Sequence, residues 1–131
     1  MLLRKDDTMT VLDVIEAVDC RLHNDVCEEA KIKWISDLDR KIQRDIIDTH
    51  EDGENHTFPY DLNSEVIIEE AYNEIYILYL LRQITLLNGE IEHSNNFLSE
   101  YNDLIYEWKK FYNREHLPKP VGKIKNYKYE G

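Results

Sequence analysis

Apolar residues recur along most of this chain at spacings of three and four, the period of an α-helix with one buried side. Val11, Leu12, Val14, Ile15, Val18 and Leu22 mark a first helix over about 10–22, opened by Thr10 and Asp13 as a capping box. Asn24 and Asp25 break the pattern, and Asp25 with Glu28 repeats the capping signature. A second helix is predicted over about 26–50. Its stripe is Ile32, Ile35, Leu38, Ile42 and Ile46, widened by Trp34 and Ile47, while Asp37, Asp39, Arg40, Arg44, Asp45 and Asp48 occupy what reads as a solvated face.

A third helix, over about 69–88, is apolar on more than one side through Ala71, Tyr72, Ile75, Tyr76, Leu78, Tyr79, Leu80, Ile84 and Leu87. Such a helix is buried centrally or shared with a partner subunit. A fourth helix, over about 90–115, has Ile91, Leu98, Tyr101, Ile105, Trp108 and Tyr112 on its expected buried side. Asn88-Gly89 is a turn signal, yet a seven-residue register continues across it from Ile77 to Tyr112. Helices three and four therefore form either a hairpin broken within 88–96, which is favoured, or one long bent helix.

Residues 51–68 are the longest connection, polar and interrupted by Gly53 and Pro59, with Phe58 and Tyr60 expected to fold back over the core. Val66, Ile67 and Ile68 are the one β-like run. With no partner strand in view, that run is expected to be an extended cover or the first turn of the third helix. Pro118 and Pro120 stop the last helix. The expected fold is all-α: a small bundle of about four helices with a long 51–68 loop. Residues 1–8 read as a flexible leader, 9–116 as one helical domain and 117–131 as an extended C-terminal arm, with Met9 a candidate natural start.

The chain's 131 residues fit one domain. The net charge is 16 − 27 = −11, the wrong sign for gripping nucleic acid, whose binders neutralise phosphates with Lys and Arg. The charge is uneven: residues 1–60 carry 8 basic and 15 acidic residues, 61–107 carry Arg82 alone against ten acids, and 108–131 carry seven basic and two acidic residues. An acidic body thus ends in a basic tail. No apolar run approaches the roughly 20 residues that span a bilayer, and the opening residues lack a signal-peptide core. Cys20 and Cys27 form no CxxC pair and are expected to be reduced thiols in a protein made in the cytoplasm.

Candidate chemistry is sparse. His50, His56 and His116, beside Glu51 and Glu54, match no zinc spacing and are expected to be surface histidines. Glu90 and His93 form one Glu-x-x-His pair, where a helical di-metal site needs two. Glu70 with Glu74, and Glu100 with Asp103 and Glu107, each share a helix face and read as solvated acids. Cys27 has no positioned histidine implied by the sequence, and no phosphate loop, HExxH or GxSxG is present. No enzyme activity, metal or cofactor is expected. Tyr72, Tyr76 and Tyr79, at spacings of four and three, suit either core rings with hydroxyls reaching the surface or a protein interface. The tail, with Lys123, Tyr127 and Tyr129, suits either plain disorder or an arm that orders on the acidic body of a neighbouring copy.

The segments MTVLDVIEAVD, KIKWISDLDRKIQRDIIDTHE, FPYD, AYNEIYILYLLRQITLLNGEIEHSNN and EYNDLIYEWKKFYNREH, in this order and spacing, resemble the helical head–tail connector (adaptor) proteins of long-tailed phages and prophages of Gram-positive bacteria. The resemblance covers about residues 9–117. It implies a non-enzymatic virion protein of the neck, assembling as a ring, typically of twelve copies, beneath the portal protein. Such a ring extends the DNA channel and docks a stopper or tail-completion protein. Subunit contact is expected through Tyr72, Tyr76 and Tyr79 and through an arm with Lys123, Tyr127 and Tyr129. Glu100, Asp103 and Glu107, or the 51–65 loop, are expected to face the channel, where acids repel DNA and let it pass without tight binding. Two other readings remain: a small acidic helical binding module (a cytoplasmic regulator or a DNA mimic), and a carboxylate metalloenzyme.

Overall fold

The computed structural model describes residues 8–120. Its elements in chain order are β1 (Thr8–Thr10), α1 (Val11–Arg21), α2 (Glu28–Asp45), β2 (Glu65–Glu69), α3 (Glu74–Leu87) and α4 (Ile91–Glu115), with short 3-10 turns at Ile47–Thr49 and Glu70–Tyr72. It is a small four-helix bundle with one two-stranded antiparallel ribbon, β1 against β2.

The ribbon corrects two expectations. Val66–Ile68 does have a partner strand, and Thr8, assigned to the leader, lies in it: Thr8 pairs with Glu69 and Thr10 with Glu65, across an irregularity in the register. The run is β-branched and alternates, with Val66 and Ile68 turned into the core and Ile67 half-buried, which suits a half-covered strand better than a helical turn. The third helix therefore starts at Glu74 and not near 69. The loop that leads into β2 seats α1. Thr10 and Asp13 form the expected capping box. The N–H groups of Val11 and Leu12, which a helix leaves without partners, donate to Ser64 O at 2.9 Å and Leu62 O at 3.0 Å.

The second helix is shorter than its periodicity suggests. It begins after Cys27, which makes no side-chain cap, so the Asp25–Glu28 capping signature is not used. It ends at Asp45, where Ile46 leaves helical geometry at φ −124°, and the Ile46 carbonyl accepts the Thr49 N–H at 3.2 Å, Thr49 Oγ1 at 2.6 Å and His50 Nδ1 at 2.7 Å. The chain then tightens into the 3-10 turn. Gln43, buried on the last turn of α2, fastens the following loop by donating to Asp48 Oδ1 at 2.7 Å and to the Glu54 carbonyl at 2.8 Å.

Helices α3 and α4 are a hairpin. Asn88 ends α3, Gly89 takes φ +77°, and the N–H groups of Gly89 and Glu90 return to Leu86 O and Thr85 O at 3.1 and 2.9 Å. These are the two bonds of a Schellman cap, and its left-handed residue is the glycine. The seven-residue register that crosses this point is interrupted there: Leu87 and Ile91 flank the turn at 66% and 53% exposure, which removes Ile91 from the buried side of α4. Small polar residues close the hairpin. Buried Ser94 donates to Arg82 O at 3.1 Å, and buried Thr85 to Leu81 O at 2.8 Å.

One core joins every element. Val11, Val14 and Val18 of α1, Ile35 and Ile42 of α2, Val66 and Ile68 of β2, Ile75, Leu80 and Ile84 of α3 and Trp108 of α4 pack together. Tyr60 is buried and Phe58 packs half-buried beside it, as the loop reading expected. Trp108 closes the α4 side, its Nε1 donating to Glu69 Oε1 of β2 at 2.9 Å. The tail does not start free: Glu51 N–H donates to Leu117 O and Lys119 N–H to Thr49 O, at 2.9 and 2.8 Å. Residues 117–120 are thereby pinned beside the end of α2.

Two glycines separate crowding from backbone strain. A Cβ at Gly53 would collide with the Ile47 carbonyl, whereas one at Gly89 would meet nothing but would keep a left-handed φ. Gly53→Ala is expected to cost about 1–3 kcal/mol, as overpacking does, and Gly89→Ala about 1 kcal/mol. Urea unfolding of both variants checks the ranking, and equal losses would show that the 3-10 turn yields easily.

Candidate functional site

The sequence placed Asp39 on a solvated face. It is instead fully buried, and it holds the main polar cluster of the interior. Its Oδ2 accepts from Tyr60 OH at 2.6 Å and from the Ile67 N–H at 2.9 Å, and its Oδ1 accepts from Tyr76 OH at 2.7 Å. Tyr76 OH in turn accepts from the Ile68 N–H at 2.9 Å. Beside them, Ser36 Oγ accepts the Tyr60 N–H at 3.2 Å. Burial pushes the Asp39 carboxyl up to about 6, against the three hydrogen bonds that favour its charged form. Burial, with the Asp39 charge adding to it, raises the hydroxyls of Tyr60 and Tyr76 well above their ordinary range. The cluster joins α2, the 51–64 loop, β2 and α3.

Tyr76 is therefore no surface tyrosine. Its ring is fully enclosed and its hydroxyl points inward, so this protomer leaves it no surface for a neighbour. Tyr72 and Tyr79 are half-buried and stack on α4, Tyr72 on Phe111 and Tyr79 on Tyr101, with ring centroids 5.5 and 5.4 Å apart. Lys123, Tyr127 and Tyr129 lie outside the described residues.

The histidines are also less exposed than expected. His50 is buried, edge-on to Tyr112 at 4.7 Å, with Nε2 facing the Asn113 side-chain amide at 2.8 Å. His116 stacks on Tyr112 at 3.8 Å, and its Nδ1 faces the Asp52 carboxylate at 2.7 Å. His56 is half-buried against Gln43 Oε1 at 2.6 Å. His56, His116, Asp52, Glu54 and Glu69 line a cleft of about 430 Å³. His116 pairs with Asp52, His56 with Gln43 and Glu69 with Trp108, and among the described residues no group of three or more His, Cys, Asp or Glu is placed to hold a metal ion. Cys20 and Cys27 are free and exposed.

Among the described residues, two surfaces suit contact with other molecules. The first is the α3–α4 tip, where Leu86, Leu87 and Ile91 are 42%, 66% and 53% exposed within six residues of chain. The second is a groove of about 390 Å³ between α3 and α4, with Leu78 and Leu104 at its base and Glu74, Glu100, Asp103 and Glu107 around it. The three acids expected to face a channel thus share one groove. Sequence reasoning found the acids and missed the tip, because Leu87 and Ile91 keep the spacing of buried positions.

The Asp39 cluster makes a pH-dependent prediction. Its carboxyl titrates near 3.8 when unfolded and near 6 when folded, so the stability it contributes is full below about 4 and lost as the pH rises through 6. In Asp39→Asn one tyrosine hydroxyl or the Ile67 N–H faces a donor, at a cost of about 1–3 kcal/mol. Denaturant unfolding should find the variant less stable at pH 4, with a gap that narrows as the pH rises to 7. A gap that does not change with pH would mean that the carboxyl titrates normally.

No protein-family model, curated protein or solved structure matches the chain, so the likeness to phage connectors is carried by the residues quoted for it. Among the described residues no helix is long and apolar enough to cross a membrane.

Proposed function

We propose that the chain is a structural head–tail connector of a tailed phage. Copies form a ring under the portal protein, extend the DNA channel and dock a stopper or tail-completion protein at the virion neck. The observation that carries this reading is the α3–α4 tip, with three large apolar side chains exposed on a domain of net charge −11. Single exposed apolar groups are ordinary, but several gathered at one hairpin tip suit a protein contact. The sequence resemblance supplies the kind of contact, and the acidic surface suits a wall past which DNA slides. The reading includes no catalytic step and no cofactor. The same acidity suits a second reading, a small helical module that mimics DNA and occupies a nucleic-acid enzyme.

A tagged copy recovered from induced producer cells, read by mass spectrometry, separates the two. Portal and tail-completion proteins are expected with the wild type. Leu87→Asp, at an exposed position, should keep the helical circular-dichroism signal and lose roughly tenfold or more of that recovery, the scale of an interface hot spot. Recovery of a nucleic-acid enzyme without virion proteins would establish the second reading.

A further inference from the structure

The groove between α3 and α4 combines an apolar base, Leu78 and Leu104, with four surrounding carboxylates, Glu74, Glu100, Asp103 and Glu107. Arg21 answers Glu74 with two hydrogen bonds and also feels the charge of Glu100. Among the described residues, Asp103 and Glu107 form no ion pair. A ligand for this groove must therefore bring positive charge and some apolar surface together.

We propose that its occupant is the C-terminal segment 121–131 of a second copy of the chain. The segment VGKIKNYKYEG carries Lys123, Lys125 and Lys128 against Glu130, with Val121, Ile124, Tyr127 and Tyr129 between them. The spacings agree. Asp103 and Glu107 are separated by about 6 Å of helix rise, and Lys123 and Lys125, on one face of an extended chain, stand about 7 Å apart. The exit point favours a neighbour's groove over the chain's own. Lys119 N–H is bonded to Thr49 O, and Thr49 shares a surface with Lys109 and Asn113 of α4. At about 100° per residue, Glu107 lies roughly 160° round the helix from Lys109. The segment thus leaves on the far side of α4 from its own groove. Its eleven residues cover up to roughly 36 Å extended, enough to reach an adjoining copy. The inference rests on the self-assembly in the reading above but not on the neck. In a ring it gives the Glu100–Glu107 face to subunit contact and leaves the acidic 51–65 segment for the channel.

The test is carbodiimide cross-linking of the full chain, mixed from unlabelled and ¹⁵N-labelled protein, followed by digestion and mass spectrometry. Lys123, Lys125 or Lys128 should join Glu100, Asp103 or Glu107, with mixed-isotope products present. Asp103→Lys/Glu107→Lys, at exposed positions, should lower the remaining links to Glu100 roughly tenfold, as expected when attraction becomes repulsion. Mixing that variant with Lys123→Glu/Lys125→Glu should restore joined products. Links found only within one isotope would mean a tail folded on its own groove and would overturn the proposal, as would tail lysines joined to other carboxylates. A chain that recovers portal protein but lacks these links keeps the neck and loses this contact. One that gives the links but recovers no virion protein keeps the contact and loses the neck.

Discussion

The carboxylate of Asp39 is the point on which the rest of the architecture depends. A buried charge is tolerated only when its lone pairs are answered, and here the donors come from three other parts of the chain: Tyr60 of the loop, Ile67 of β2 and Tyr76 of α3. Two of the donors are themselves fixed by neighbours. Ile68 donates to the Tyr76 hydroxyl, and Ser36 accepts the Tyr60 N–H. The effect is to bring the polar loop and the ribbon onto the same helix that carries the Ile35–Ile42 stripe. The end of that loop, at Leu62 and Ser64, then supplies the acceptors that start α1. The order of the bundle is thus set from a single side chain outward, with apolar packing adding most of the energy and the carboxylate choosing the arrangement.

Much of the helical layout was legible because its cause is local. The Thr10–Asp13 cap, the stripe from Ile32 to Ile42 and the Asn88-Gly89 turn each depend on neighbours within a few residues, so spacing alone exposes them. What escaped depends on distant partners. Val66–Ile68 could not declare itself a strand while its partner lay near residue 9. Asp39 stands four residues after Ile35 and three before Ile42, on the buried face, while the exposed Asp37 does not; its charge argued for solvent, and its partners Tyr60 and Tyr76 lie far along the chain. The premature end of α2 is a turn of the backbone at Ile46, whose carbonyl takes donors from Thr49 and His50, where hydrophobic periodicity alone would continue the helix to His50.

The candidate surfaces follow the same division. Acids at 100, 103 and 107 are visible as a helical face, but that they border an apolar-based groove depends on how α3 lies against α4. Tyr72, Tyr76 and Tyr79 look equivalent in sequence and have two different situations: two pack against rings of α4, and one is enclosed with Asp39. A tyrosine-rich helix is thus mainly a means of joining helices within the protomer here, which moves attention for outside contacts to the apolar tip and the acidic groove.

The closed base of the α3–α4 hairpin has a consequence for that tip. Ser94 reaches the Arg82 carbonyl directly, and the Schellman bonds lock the turn. Leu86, Leu87 and Ile91 are therefore carried on a stiff prong whose backbone is already fixed in solution. A partner that takes up this prong orders no loop in doing so, and the entropy that a flexible segment would surrender remains as binding free energy. Three side chains on such a support can hold more tightly than their small area suggests.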